Sequence, residues 1–418
     1  MADHRGVDSP SVVLVGALDT KHDEYGFVRD RLNAAGLATL LVDVSVLGRP
    51  GIPADIDQRT VAEAAGVDLD ALVAGGNRND AVSAMARGAA RVVAALHADG
   101  NVRALIVLGG SNAGFVMSQV APVVPIGIPK LLVSTIVAGD TRPYVGTSDL
   151  TMMYPVVDIA GLNSVSIPVL AKAADAVTGM LSGAALPAGL IRLTGRQSVG
   201  CTMFGVTTAC VTAVSDHLAA HDVEPQVFHA TGTGGLTLEA MIASGLFDAV
   251  ADLTTTELAD ELVGGVCSAG PHRLEAAAAY GVPQVVSVGA LDMANFGPRD
   301  SVPHEFDDRL LFAHNPSVTL MRTDVAENAE LGRIIAGKLN AATAFVEVHI
   351  PARGFSQISV EGAPFYDPEA DRALIDSLSA GLDPRIPFHL HDLAINDPLF
   401  AEQINAAIDR ALDATKGS

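Results

Sequence analysis

Short apolar runs alternate with helical periodicity twice along this chain, and that alternation restricts the fold more than any other feature. In the first series Ser11 to Gly16, Leu37 to Val44, Val102 to Leu108 and Lys130 to Ser134 read as strands. In the second series Pro283 to Val288, Arg309 to Ala313, Phe345 to Ile350 and Ile386 to Leu390 do. Helical patterns lie between them, including Glu24 to Ala35, Asp80 to Asp99, Val165 to Leu181 and Asp324 to Leu339. Alternation of this kind builds parallel sheets covered by helices. The expected fold is α/β, with two Rossmann-like doubly wound domains and an interdomain cleft. The domains are 1–188 and 189–418, because the alternation restarts after the Gly/Pro/Ala-rich Gly183 to Gly189.

One stretch of the second series is a complete βαβ unit. Gln226 to Ala230 is apolar, Thr231-Gly-Thr-Gly-Gly235 is a glycine turn, Leu236 to Ser244 is helical, and Phe247 to Leu253 is a strand. Backbone amides at such a turn can take an anion at the helix start. The alternative is a tight turn and nothing more. The loop is no dinucleotide fingerprint, since Thr237 stands where the third glycine would be.

Charge excludes some partners. With 48 acidic against 26 basic residues the net charge is −22, so nucleic acid and anionic membrane surfaces are not expected. Lysine occurs only five times, which makes a lysine at a strand end informative. Cys201, Cys210 and Cys267 show no CxxC spacing and read as reduced thiols of a cytoplasmic protein. The polar Met1 to Pro10 is no signal peptide, and no apolar run reaches membrane-span length.

In open α/β sheets, ligands sit at the carboxyl ends of the strands. Asp19, Thr20 and Lys21 follow the first strand, and Gly109, Gly110 and Ser111 follow the third. Lysine meets phosphate as a point charge, and Asp19 can ligate Mg²⁺ directly or through water. The plainer alternative is a solvated helix cap, with Thr20 and Asp23 bonding free amides. No Gly-Lys-Ser/Thr follows Gly109, so this is not the lysine-bearing phosphate loop. Ser134 and Thr135 open a polar loop after the next strand, and Arg353 follows a strand end of the second series. Glu257, Asp260 and Glu261 share a helix face, where they can act as acid and base, hold a hard cation, or simply face solvent. His229 ends a strand beside the glycine turn and reads as a catalytic base or as a histidine held by backbone groups. Val15-Gly-Ala-Leu-Asp19 and Val288-Gly-Ala-Leu-Asp292 are the same word, a weak hint of duplication.

Five longer words go further. They are Ala17-Leu-Asp-Thr-Lys21, Thr151-Met-Met-Tyr-Pro-Val-Val-Asp-Ile-Ala-Gly-Leu-Asn163, His229 to Gly235, Leu253 to Gly265, and His314 to Thr323. Together they resemble the ATP-binding family named for the tomato mosaic virus inhibitor, uncharacterised in bacteria. The resemblance runs from about Val12 to about Phe400. It implies two Rossmann-like subdomains, ATP as ligand, and a chain without the barrel domain that plant relatives carry. Family and fold do not fix a reaction, so three readings stand. The first is an ATP-binding, Mg²⁺-assisted protein with a small-molecule metabolic role. Its phosphates would lie on Gly109, Gly110 and Ser111, and Thr231, Gly232, Thr233, Gly234 and Gly235 would take a co-substrate or the nucleotide's other end. The second is a non-catalytic nucleotide-binding regulatory module. The third is an isomerase or lyase for an anionic sugar or keto acid, worked by His229 and the Glu257/Asp260/Glu261 face. Alanine-rich, apolar composition together with the resemblance points to a homo-oligomer.

Overall fold

The computed structural model describes residues 10–46, 48–183 and 195–415. They divide into two compact units, Met1–Ala188 and Gly189–Ser418. The Gly/Pro/Ala-rich segment Gly183 to Gly189 lies, apart from Gly183, outside the described residues.

The first unit carries a parallel sheet of β1 (Ser11–Gly16), β2 (Thr39–Asp43), β3 (Val102–Gly109), β4 (Lys130–Ser134) and β5 (Leu150–Met153), in the order β2-β1-β3-β4-β5. Its central strands are apolar throughout because both faces are covered. Val13 and Val15 of β1 join Leu105 and Val107 of β3 on one face, under the helix Arg78–Ala98. Val12 and Leu14 join Ala104 and Ile106 on the other, under the helices His22–Ala34 and Ser166–Ser182. The chain reverses its direction of travel across the sheet between β1 and β3. A crevice opens at such a switch point, beyond the strand carboxyl ends.

The second unit has β6 (Ser198–Met203), β7 (Glu224–His229), β8 (Ala249–Thr254), β9 (Gln284–Gly289), β10 (Met293–Phe296), β11 (Leu311–Asn315), β12 (Val318–Arg322), β13 (Val346–Pro351) and β14 (Phe388–His391). Six of these form a parallel sheet in the order β14-β13-β9-β8-β6-β7. The remaining three form an antiparallel sheet, β10-β12-β11. Sequence alone places only one strand in this smaller sheet. Met293–Phe296 is buried at every position, so it lacks the alternation that marks a half-buried strand and reads as loop after β9. The three cysteines form no disulfide. Among the described residues no helix is long and apolar enough to cross a membrane.

The repeated word ends β1 and β9 but meets two environments. Asp19 is half-buried on a cavity wall, whereas Asp292 is fully buried. Asp292 Oδ2 accepts from Ser356 Oγ at 2.8 Å, and Oδ1 has no hydrogen-bond partner. Burial pushes the Asp292 carboxyl up from 3.8 to about 6, with Arg322 and Ser356 pulling the other way. A carboxyl whose pKa is raised on folding binds its proton more tightly in the native state, so stability falls as pH rises through about 4–6. The full effect of that shift is about 3 kcal/mol. Chemical denaturation of the wild type and of Asp292→Asn across this window should show a steeper loss in the wild type. Equal slopes would refute the assignment.

Candidate functional site

In the first unit, the loops after β1 and β3 meet in a cavity of about 350 Å³. Asp19, Thr20 and Lys21 line it together with Gly109, Gly110 and Ser111. Two helices begin here. The helix His22–Ala34 has Lys21 as its N-cap residue and the helix Ser111–Val120 has Gly110, and neither receives a side-chain cap. Thr20 and Asp23 are both exposed beside the first of these helix starts. Gly110, Ser111 and Asn112 line the cavity, so the uncapped start of the helix Ser111–Val120 offers amide donors and the positive end of its dipole there. Gly109 takes φ +146° at the turn between strand and helix, a conformation that favours glycine.

The loops are pinned by groups that lie outside both of them. Asp43, at the end of β2, accepts from Leu18 N at 3.2 Å, from Ser45 N at 2.9 Å and from Ser45 Oγ. Ser45 Oγ in turn accepts from Asp19 N at 2.9 Å. Tyr25 is fully buried, and its hydroxyl contacts the Val15 carbonyl at 2.6 Å and accepts from Leu108 N at 2.8 Å. It thereby ties the ends of β1 and β3, from which the two loops depart. Tyr25→Phe should cost about 1–3 kcal/mol, because a buried amide loses its acceptor. Thermal melts check this, and an unchanged midpoint would remove Tyr25 from the framework. Lys21 Nζ donates to the Ile159 carbonyl, and Gly161 N donates to Glu24 at 2.6 Å. These bonds hold the segment bearing Asp158 against the helix start, and Asp158 also lines the cavity. So does Arg78, a second cation that the strand-end pattern misses because it lies on the excursion after β2. Ser134, buried in β4, donates to the Gly110 carbonyl at 3.1 Å. Thr135, next along, is half-buried.

The second unit treats its glycine turn differently. The helix starts at Thr233, so Gly234 and Gly235 lie in its first turn, and Gly232 takes φ +91°. Gly232 N and Gly235 N donate to Glu257 Oε1 at 2.7 and 2.9 Å. The anion held by this turn is the protein's own carboxylate. A Cβ on Gly235 would lie 2.1 Å from Glu257 Oε2, and one on Gly234 would lie 1.8 Å from the His229 carbonyl. Thr231 N and Oγ1 also turn back to that carbonyl.

Glu257 is fully buried and bonds Arg273 Nε at 2.7 Å. Arg273 in turn holds Asp252 in a two-pronged contact at 2.5 and 2.6 Å, and Glu239 at 3.2 Å. Desolvation pushes the Glu257 carboxyl above its ordinary value, and Arg273 opposes this. Asp260 is also fully buried and accepts from Cys267 N, Asn295 N and Asn295 Nδ2 at 3.0, 3.0 and 2.7 Å. Burial raises it to about 7. Glu261 is exposed and accepts from Ser268. The three acidic groups thus occupy separate surroundings and share no solvent-facing surface. His229 is exposed at the end of the edge strand β7, its ring edge-on to Phe204. Arg353 is exposed and paired with Asp392 at 2.6 and 2.8 Å.

Comparison with known proteins agrees with the two-part organisation. Residues 10–185 match the N-terminal domain of Uncharacterised protein family (UPF0261), and residues 196–412 match its C-terminal domain. A UPF0261 protein of Clostridium tetani is 45% identical over 88% of this chain and 90% of its own length. One from Rhizobium meliloti is 41% identical over 95% of this chain and 98% of its own length. The tomato ToMV resistance protein Tm-1(GCR237), from Solanum lycopersicum, is 37% identical over 98% of this chain, which spans 56% of that protein. On both domain models and on these relatives, the chain belongs to the UPF0261 family.

Proposed function

We propose that the N-terminal unit binds a nucleotide, ATP with Mg²⁺, in the cavity between the β1 and β3 loops. One observation carries the reading: the uncapped start of the helix Ser111–Val120 and the strand-end residues Asp19 to Lys21 and Gly109 to Ser111 converge on one cavity at the switch point. Lys21 and Arg78 supply cations, which a chain of net charge −22 needs locally to hold a polyphosphate. Val44, Val46, Val82, Met85 and Val116 line the same cavity and give a base apolar surface. Asp19 and Asp158 are carboxylates suited to Mg²⁺, which takes one or two such groups and otherwise waters and phosphate oxygens. Bound there, the ion would neutralise phosphate charge.

The C-terminal glycine turn is the weaker candidate for the same role, since its amides already hold Glu257. Titration calorimetry of the full chain with ATP, with Mg²⁺ and then with chelator, tests the reading. Saturable binding at one site per chain, weaker without the metal, is the expected result. No saturable heat in either buffer would refute it. Release of phosphate from bound ATP would distinguish a small-molecule enzyme from a nucleotide-binding regulatory module.

A further inference from the structure

A cluster in the C-terminal unit belongs to none of the groups above. Strand β13 is buried throughout, with different chemistry on its two faces. Val346, Val348 and Ile350 pack into one apolar cluster, so the twofold alternation of a strand turns Glu347 and His349 to the opposite face. The parallel edge strand β14 sets His389 beside His349 and His391 beside Pro351. Phe388 packs with the Val348 cluster, which leaves His389 and His391 on the face of Glu347 and His349.

The result is a compact donor set. One oxygen of Glu347 and one nitrogen each of His349 and His389 lie within 4.8 Å of one another. His349 Nε2 is 3.1 Å and His389 Nε2 is 3.7 Å from Glu347 Oε2. Donors bound to a tetrahedral zinc at ~2.0–2.1 Å stand ~3.3 Å apart, and the two distances from Glu347, 3.1 and 3.7 Å, bracket that spacing. His389 Nε2 is buried without a hydrogen-bond partner, which is costly unless something binds it. His349 Nδ1 faces His391 Nε2 at 3.0 Å, the kind of outer contact that orients a ligating imidazole. Arg410 bonds both Glu347 oxygens, at 2.9 and 2.6 Å. A carboxylate oxygen has a second lone pair, so Arg410 does not close the site, although its charge weakens a cation there.

We propose that Glu347, His349 and His389 form a binding site for a divalent transition metal of the zinc class, with His391 as a positioning residue. Two imidazoles and one carboxylate favour zinc, cobalt or ferrous iron over magnesium, which prefers oxygen ligands. Three protein ligands leave a coordination position for water or an anionic ligand. The His389 side chain is 42% exposed, so the site has a solvent-facing side.

The test is titration of the chelator-stripped, tag-free full chain with Co²⁺, read by visible absorption, with Zn²⁺ and Mg²⁺ as competitors. One equivalent should bind with a d–d band, be displaced by Zn²⁺, and persist in excess Mg²⁺. His389→Asn, on a half-exposed edge position, should keep its melting profile and bind at least about tenfold more weakly. His389→Cys restores a donor and should recover binding with a thiolate charge-transfer band. Absence of stoichiometric Co²⁺ binding in the wild type, or equal affinity in His389→Asn, would overturn the proposal.

Discussion

Arg273→Met should destabilise the C-terminal unit by about 3–5 kcal/mol, the cost of removing one partner from a buried ion pair. Arg273 is fully buried and is the shared cation of Asp252, Glu257 and Glu239. Methionine fills comparable volume, so the loss is one of charge compensation and not of packing. Asp252 and Glu257 would remain buried with no cation against them. Glu257 would also hold the glycine turn less firmly, since its carboxylate joins that turn to Arg273. Arg273→Lys should recover little, because a point charge cannot reproduce the forked contact with Asp252. Urea denaturation of both variants decides: a midpoint within the error of the wild type, at unchanged slope, would show that the network contributes little.

Lys21→Ala should weaken ATP binding by about 1.5–3 kcal/mol, roughly ten- to a hundredfold, through loss of a charge-assisted contact. Lys21 lines the cavity and is anchored through the Ile159 carbonyl. An ammonium carries three donors, so that bond leaves two for a phosphate. If Lys21 serves only to hold the Ile159 segment, the variant melts earlier and binds ATP as the wild type does. Calorimetric titration beside a thermal melt separates the two outcomes, and equal affinities would remove Lys21 from the site.

The N-terminal unit was readable from sequence because its determinants are local. Val12 to Val15 and Leu105 to Leu108 are continuous apolar runs, and strands buried on both faces read that way. The end of each run marks where a loop at the strand's carboxyl end begins, and that alone groups Asp19 to Lys21 with Gly109 to Ser111. Asp43, Ser45 and Tyr25 were not readable as parts of that site, because their role depends on contacts across strands.

The C-terminal glycine turn shows the opposite case. Its partner Glu257 lies 25 residues from Gly232, and Arg273 a further 16 residues on. No local pattern announces that a turn fit for an anion will be filled from within. Its position also matters. The turn follows β7, the edge strand, whereas the order of this sheet reverses between β6 and β8. The Glu347-x-His349 and His389-x-His391 pairs did carry a signal: both repeat at the strand period, which places each pair on a single face.

The most direct test of the central claim is the structure of a crystal soaked with ATP and Mg²⁺. The nucleotide should lie in the N-terminal cavity, with its phosphates on the amides of Gly109 to Ser111 and close to Lys21. Nucleotide on the Thr231 to Gly235 turn, with Glu257 displaced, or an N-terminal cavity left without nucleotide at saturating ATP, would contradict the account.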